Sequence, residues 1–240
     1  MQVMFYIFSG ERHAVTFTVG LNMEKTRLNH FHRLDAFIQK RIEKDIYPEI
    51  PIEPHPSITR DMIERIQKYK PLSGAKVLDV GCGQGLALDI FKRDGAEAIG
   101  ITFGEDFVFC KSNGHQVYEM DQSFLDFESH SFDLIWCRHA LEHSLFPLFT
   151  LHGFREVLKR DGVLYVEVPA PSTSARHENN PNHYSCFTAD VWMALFRKEG
   201  FDVAEHLIIN FEAGCGPDTY HSFFLKPDVN LGVGVEGLGN

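Results

Sequence analysis

Short apolar runs alternate with helical patterns from Lys76 onward. The β-rich runs are Val77–Val80, Glu97–Thr102, Gln116–Glu119, Phe132–Trp136 and Val163–Val168, and amphipathic segments separate most of them. Strands that alternate with helices predict a parallel sheet with helices on both faces. A helical pattern near 189–199 is followed by "FDVAEHLIINF" and "YHSFFLKP", which predict two adjacent strands that close the sheet antiparallel.

A different pattern precedes this alternation. The segment "MQVMFYIFSGERHAVTFTVG" predicts a β-hairpin, with strands Val3–Phe8 and Ala14–Val19 that turn at Ser9-Gly10. Residues 24–46 are charged and helical in pattern, and "PEIPIEPHPS" then interrupts any regular element. We therefore expect an N-terminal extension over 1–56, which could serve as a lid or a dimer element, a core domain over 57–226 and a flexible tail over 227–240.

Charge and cysteine content exclude several classes of protein. The formal charge is -10, from 23 basic and 33 acidic residues, which does not favour a nucleic-acid or membrane partner. The five cysteines include no C-x-x-C pair, so neither a disulfide framework nor a zinc ribbon is indicated. We expect reduced thiols in a cytoplasmic protein that is a monomer or a homodimer.

The segment "VLDVGCGQG" combines the end of a strand with a glycine-rich turn. No G-K-[ST] follows, which excludes a P-loop, and the dinucleotide pattern G-x-G-x-x-G fails because Leu86 holds its last position. Thr102 stands where that pattern wants an acid for a ribose hydroxyl. The loop suits a nucleoside ligand without pyrophosphate, because glycines let the backbone approach closely.

Five motifs extend this interpretation along the chain. They are "VLDVGCGQG", "EMDQSFLDF", "SFDLIWCRHALEH", "EVLKRDGVLYVEVP" and "NHYSCFTADVWMALFRKEGF". With these motifs, residues 57–226 resemble the class I S-adenosylmethionine-dependent methyltransferases of the small-molecule type. The resemblance implies an α/β, Rossmann-like, doubly wound seven-stranded sheet, mostly parallel with the last strand antiparallel. It also implies S-adenosylmethionine as cofactor and a small-molecule acceptor at the carboxyl ends of the strands.

The resemblance also assigns residues to the cofactor. Asp121 matches the acid near the adenine amine, and Thr102 takes the place of the ribose-binding acid, so that Glu105 or Asp106 could reach back instead. Packing or turn-capping alone would also explain Asp79, Asp121 and the two thiols. The full cofactor set is Asp79, Gly81, Cys82, Gly83, Gly85, Thr102, Phe103, Asp121, Gln122 and Cys137.

Histidines near the same edge are candidates for catalysis. His139 follows the fourth strand, and the polar loop 169–187 brings His177, His183 and Tyr184 toward it. An acceptor that must lose a proton needs a base, and we expect His139 first and His183 second, oriented by Glu142 or Tyr184. Packing or acceptor binding is the alternative role of His139.

Two other functions remain open. "HALEH", from His139 to His143, matches the H-x-x-E-H motif of inverted zinc peptidases, which needs the interior of a helix. Some RNA 3′-end methyltransferases hold a metal with a related E-x-x-E-H motif, but His139 replaces the first glutamate and the acidic charge does not favour RNA. We expect no metal as part of the methyltransferase. The other alternative is a cofactor-binding module without catalysis, because Thr102 departs from the family pattern.

Overall fold

The computed structural model describes residues 6–8, 11–13, 19–42 and 53–228. The chain divides into two units, residues 1–46 and 47–240. In the first unit, β1 (Tyr6–Phe8) pairs antiparallel with β2 (Glu11–His13), and α1 spans Val19–Ile42. None of the helices in the described ranges is long and apolar enough to cross a membrane.

The hairpin is therefore present, but its predicted second strand is wrong. Phe8 pairs with Glu11, so pairing begins directly after a two-residue connection, which fixes the register of a hairpin. Val19, which we expected to end that strand, instead begins α1. Residues 14–18 and the tail from 229 lie outside the described residues.

The second unit contains one seven-stranded sheet in the order β5-β4-β3-β6-β7-β9-β8. The strands are β3 (Lys76–Val80), β4 (Glu97–Thr102), β5 (Gln116–Glu119), β6 (Phe132–Arg138), β7 (Leu158–Pro169), β8 (Phe201–Ala213) and β9 (Gly216–Pro227). All are parallel except β9, which lies between β7 and β8 and runs antiparallel to both. The predicted fold class is confirmed.

Helices cover both faces of the sheet, because alternate residues of each strand point to opposite sides. On one face Leu78 and Val166 pack with α5 (Pro147–Val157) and α6 (Ala189–Lys198). On the other, Val77 and Trp136 pack with α2 (His55–Ile66) and α3 (Leu86–Arg93). The remaining helix, α4, spans Gly104–Ser112.

The carboxyl ends of β3 to β7 meet at one edge, where open α/β sheets bind ligands. β6 extends to Arg138, two residues beyond the predicted Trp136, and His139 follows directly. The strand continues through a charged residue because Arg138 is paired in register with Glu167 of β7, with Arg138 Nε 2.7 Å from Glu167 Oε1.

Candidate functional site

The glycine loop, residues 81–85, follows β3. Gly81 has φ +70°, and a Cβ built there would lie 2.8 Å from Ala140 Cβ, so only glycine fits. Gly83 has φ +49°, but its Cβ would meet only Asp106 Oδ2, at 4.0 Å. The loop is therefore tight against the β6 end at Gly81 and open beside Gly83.

Asp79 lies in β3, beside this loop, and is 3% exposed. Its Oδ2 is buried and has no hydrogen-bond partner among the described residues. Burial raises the pKa of Asp79 to about 8, Cys110 adds to the rise, and Arg138 opposes it. Arg138 Nη2 is likewise buried without a hydrogen-bond partner in the described part of the chain. A carboxylate oxygen and a guanidinium nitrogen thus remain to be satisfied next to the glycine loop.

The turn after β5 carries Asp121 and Gln122. Asp121 Oδ1 accepts a hydrogen bond from Ser123 N at 2.7 Å, so one of its oxygens does cap a turn. Gln122 Nε2 donates to Ala140 O at 2.7 Å and ties this turn to the end of β6. Gln122 Oε1 is buried and lacks a partner among the described residues.

The end of β4 lacks the family's acid. Thr102 is half-buried opposite Glu119 of β5, and Phe103 is half-buried at the N-cap of α4. Glu105 and Asp106 are the two acids that could replace the family's acid at the ribose. Glu105 is exposed, whereas Asp106 is buried beside Gly83. Burial raises the pKa of Asp106, although the Gln84 side chain opposes the rise.

The cysteines of the predicted cofactor set pack into the protein. Cys82 is 8% exposed and lies in the core beside α3, next to the Cys110 thiol. Cys110 Sγ donates to Gly83 O at 3.1 Å. Cys137 is fully buried in the core on the opposite face, and burial raises its pKa. Only the backbone at Cys82 and Cys137 is therefore available to a ligand.

His139 sits between two buried carboxylates. Its Nε2 is 3.1 Å from Glu167 Oε1, and its Nδ1 is 3.4 Å from Glu142 Oε1. Its backbone has φ +50°, and its N–H donates to Glu167 O at 2.9 Å. Burial and Arg138 disfavour the charged ring, but the two glutamates outweigh them and raise the pKa of His139.

Glu167 is fully buried and anchors this arrangement. Its Oε2 accepts hydrogen bonds from Tyr165 Oη at 2.6 Å and Ser222 Oγ at 2.8 Å. Burial would raise the pKa of Glu167, but Arg138 and His139 outweigh it and lower the pKa to about 2. Sequence reasoning missed Glu167, although an acid inside the apolar run "VLYVEVP" was a visible signal.

An aromatic wall lies against His139. The ring centroid of Tyr220 is 4.2 Å from that of His139, and Phe211 stands 4.6 Å from Tyr220. His55, at the start of α2, shares a hydrogen bond of 3.0 Å with Tyr220 Oη. The sequence did not indicate Tyr220, Phe211 or His55 as site residues, because only the tertiary fold brings β8, β9 and the proline-rich segment next to His139.

The loop after β7 brings further histidines to this edge. His183 stacks edge-on against His143, with centroids 4.8 Å apart, and His177 lies 5.7 Å from His183. His177 Nε2 is 2.9 Å from Asp218 Oδ2. His183 therefore faces His143, the neighbour of Glu142. Tyr184 is half-buried on the same loop.

The "HALEH" segment does not form the α-helix that the zinc-peptidase motif requires. His139 has a positive φ, and Leu141–His143 form a single 3-10 turn. An α-helix begins only at Pro147. His139 and His143 consequently do not project from one helix face.

These features define a class of protein: a doubly wound α/β domain with a glycine loop at the carboxyl end of β3, the edge at which such sheets bind ligands. A family model described as a methyltransferase domain matches residues 56–206, more than half of the chain. The chain therefore belongs to this family, the class I S-adenosylmethionine-dependent methyltransferases, and S-adenosylmethionine is its cofactor.

Curated relatives share the central part of the chain. The ubiquinone biosynthesis O-methyltransferase of Actinobacillus pleuropneumoniae is 33% identical over 111 residues, covering 41% of this chain and 47% of the relative. That of Xylella fastidiosa is 32% identical over 127 residues, covering 50% of this chain and 52% of the relative. The chain thus spans about half the length of the curated relatives it matches.

Solved structures share the fold at low identity. A putative sarcosine dimethylglycine methyltransferase from Galdieria sulphuraria has a TM-score of 0.62 at 16% identity, covering 81% of this chain and 98% of that one. The [4+2]-cyclase SpnF has a TM-score of 0.59 at 17% identity, covering 77% and 85%. Because one fold carries a methyltransferase and a cyclase, function must be argued from the site.

The buried unpaired atoms fit the cofactor. Asp79 Oδ2 would hold the ammonium of its amino-acid part, and Arg138 Nη2 would hold the carboxylate. The open space beside Gly83 would admit the ligand where a side chain would fill it. Asp121 uses one oxygen to cap its turn, and the other would be the one to meet the adenine amine, as the family pattern implies.

Proposed function

We propose that this chain methylates a hydroxyl oxygen of a small aromatic acceptor. One observation carries the proposal. His139 stands between Glu142 and Glu167, and the next residue, Ala140, lies against Gly81 of the glycine loop. A histidine oriented by a buried carboxylate is the arrangement that removes a proton from an acceptor. The relatives named as O-methyltransferases support oxygen as the methylated atom.

When bound, S-adenosylmethionine would supply a methyl group from its cationic sulfonium, with a neutral thioether as the leaving group. Glu167 lies at Nε2 of His139 and Glu142 at Nδ1, so the two carboxylates orient the ring and stabilise it once it has taken the acceptor's proton. The acceptor oxygen would take the methyl group in place of its proton, and His139 would receive that proton. Holding the acceptor in line with the methyl group supplies much of the rate.

The aromatic wall gives the acceptor a place to lie. Tyr220 and Phe211 present ring faces and edges next to His139, which favour a planar aromatic partner. His55 borders the same space through its contact with Tyr220. We propose that the core domain, residues 57–226, supplies all of this site except His55, and that the extension over 1–56 serves as a lid or a dimer element.

Methyl transfer from labelled cofactor to a panel of small phenols, amines and thiols tests the proposal. His139→Gln should lower turnover of a phenol by about 100-fold or more, the scale for loss of a general base. The dissociation constant for S-adenosylhomocysteine should stay unchanged. A matched control is His152→Gln, because His152 Nδ1 also lies 3.4 Å from a carboxylate, Glu199, but on an exposed surface.

The other outcomes contradict the proposal in different ways. A loss confined to acceptor affinity would make His139 a binding residue, and equal losses in both variants would remove it from the reaction. Tight cofactor binding without transfer to any acceptor would favour the non-catalytic binding module. Transfer to amines or thiols alone would refute oxygen as the methylated atom.

A further inference from the structure

Three side chains that could hold a metal ion converge beside His139. Glu142 and His143 belong to the 3-10 turn after β6, and His183 belongs to the loop after β7. One ligand atom from each lies within 4.8 Å of the other two. Around a tetrahedral ion with bonds of about 2.0–2.1 Å, ligand atoms lie roughly 3.4 Å apart. Small side-chain rotations would therefore bring the three ligand atoms to the spacing that an ion requires.

Glu142 provides the second, independent sign of a ligand. It is 1% exposed, and its Oε2 is buried without a hydrogen-bond partner among the described residues. Its Oε1 faces His139 Nδ1, which leaves Oε2 for another partner. A buried carboxylate oxygen is costly unless it is paired or coordinates a metal.

The histidines have the arrangement expected of metal ligands. His143 Nδ1 is 3.0 Å from Asn182 O, and a carbonyl only accepts, so Nδ1 carries the proton and the lone pair lies on Nε2. Such a hydrogen bond to the second ring nitrogen orients metal-ligating histidines. His183 Nδ1 is buried and has no hydrogen-bond partner in the described part of the chain.

The loop that carries His183 is attached to the turn that carries the other two ligands. Ser185 N donates to Glu142 O, and Ser185 Oγ donates to Ser144 O, both at 2.9 Å. His183 N donates to Asn180 O at 3.1 Å. The three side chains are thus held together before any ion arrives.

The geometry points to a site for one divalent transition-metal ion on Glu142, His143 and His183, with open positions for oxygen atoms of the acceptor. Two imidazoles and a carboxylate suit ions such as Zn²⁺, Mn²⁺ or Co²⁺. Three protein ligands leave coordination positions open, as in catalytic metal sites. The role toward the acceptor rests on the proposed function, and it favours aromatic acceptors with two adjacent oxygens.

Metal binding is tested first, without cofactor or acceptor. The full chain, freed of metal with a chelator, is titrated with Co²⁺ while the visible spectrum and the heat of binding are followed. We expect one ion per chain, and at least about tenfold weaker binding in His183→Ala. His206→Ala is the matched control, because His206 pairs with His221 at 3.1 Å in a two-histidine cluster.

Unchanged circular dichroism and S-adenosylhomocysteine affinity would show that His183→Ala is folded. Absence of saturable binding, or equal binding by the wild type and His183→Ala, would overturn the metal site. The acceptor role is tested by methylation of catechol and phenol with and without Zn²⁺ or Mn²⁺. We expect the ion to raise catechol turnover at least about tenfold in the wild type only, and an equal rate without it would overturn that role. Metal binding without methylation of any acceptor would refute the proposed function and leave the metal site standing.

Discussion

Asp79 should release a proton when the cofactor binds. Its pKa of about 8 means that roughly nine-tenths of the free protein carries a protonated Asp79 at pH 7. The ammonium group of the cofactor favours the ionised carboxylate, so the bound state loses that proton. The affinity for S-adenosylhomocysteine should then rise about tenfold per pH unit between pH 6 and 7 and level off above pH 8.

Isothermal titration in buffers of different ionisation enthalpy measures this proton directly. We expect the wild type to release most of one proton at pH 7 and Asp79→Asn to release none from this group. In Asp79→Asn the affinity for S-adenosylhomocysteine should no longer depend on pH in this range. It should also be weaker than that of the wild type at pH 8, because asparagine lacks the negative charge. A wild type whose affinity is flat from pH 6 to 8, with no proton release, would refute the role of Asp79.

The raised pKa of Asp79 also lowers the free energy of unfolding of the protein at neutral pH. The folded-state pKa is raised above the ordinary value of 3.8, so as the pH rises past 4 the unfolded chain loses this proton first. Each pH unit in that window costs about 1.4 kcal/mol, which amounts to about 4 kcal/mol by pH 7. Asp79→Asn should therefore raise the free energy of unfolding at pH 7, and the gain should vanish near pH 4. Denaturant unfolding at both pH values checks the sign, and an Asn variant that is less stable at pH 7 would contradict it.

Three further predictions concern the rest of the site, and the first of them includes a control variant. Gly83→Ala and Gly74→Ala should each cost about 1–2 kcal/mol of stability, because both glycines have positive φ and open space, but only Gly83→Ala should abolish cofactor binding in calorimetry. Asp121→Ala should weaken cofactor binding by about 1–3 kcal/mol, and an unchanged dissociation constant would leave Asp121 as the cap of the Ser123 turn. Glu167→Gln should lower the free energy of unfolding by about 3–5 kcal/mol, because it leaves buried cations unpaired; a melting temperature equal to that of the wild type would contradict the buried network.

The fold class and the cofactor loop could be predicted from the sequence alone. Strand and helix periodicities are local, and the glycines of "VLDVGCGQG" mark a turn whose backbone conformation few other residues allow. The order of the motifs then identified the family. The presence of the N-terminal hairpin was predicted correctly, but the position of its second strand was not. The short connection set the register of that strand, rather than the apolar pattern.

The surroundings of His139 depended largely on the tertiary structure. Glu142 lies three residues further along the chain and could be predicted, but Glu167 arrives through the pairing of β6 with β7, and Tyr220 through the insertion of β9 beside β7. Burial, which no sequence pattern measures, decided the charge states: it holds the Asp79 carboxyl neutral, while Arg138 and His139 keep the equally buried Glu167 ionised. A pKa depends on all groups within several ångströms, and the sequence does not say which groups folding brings that close.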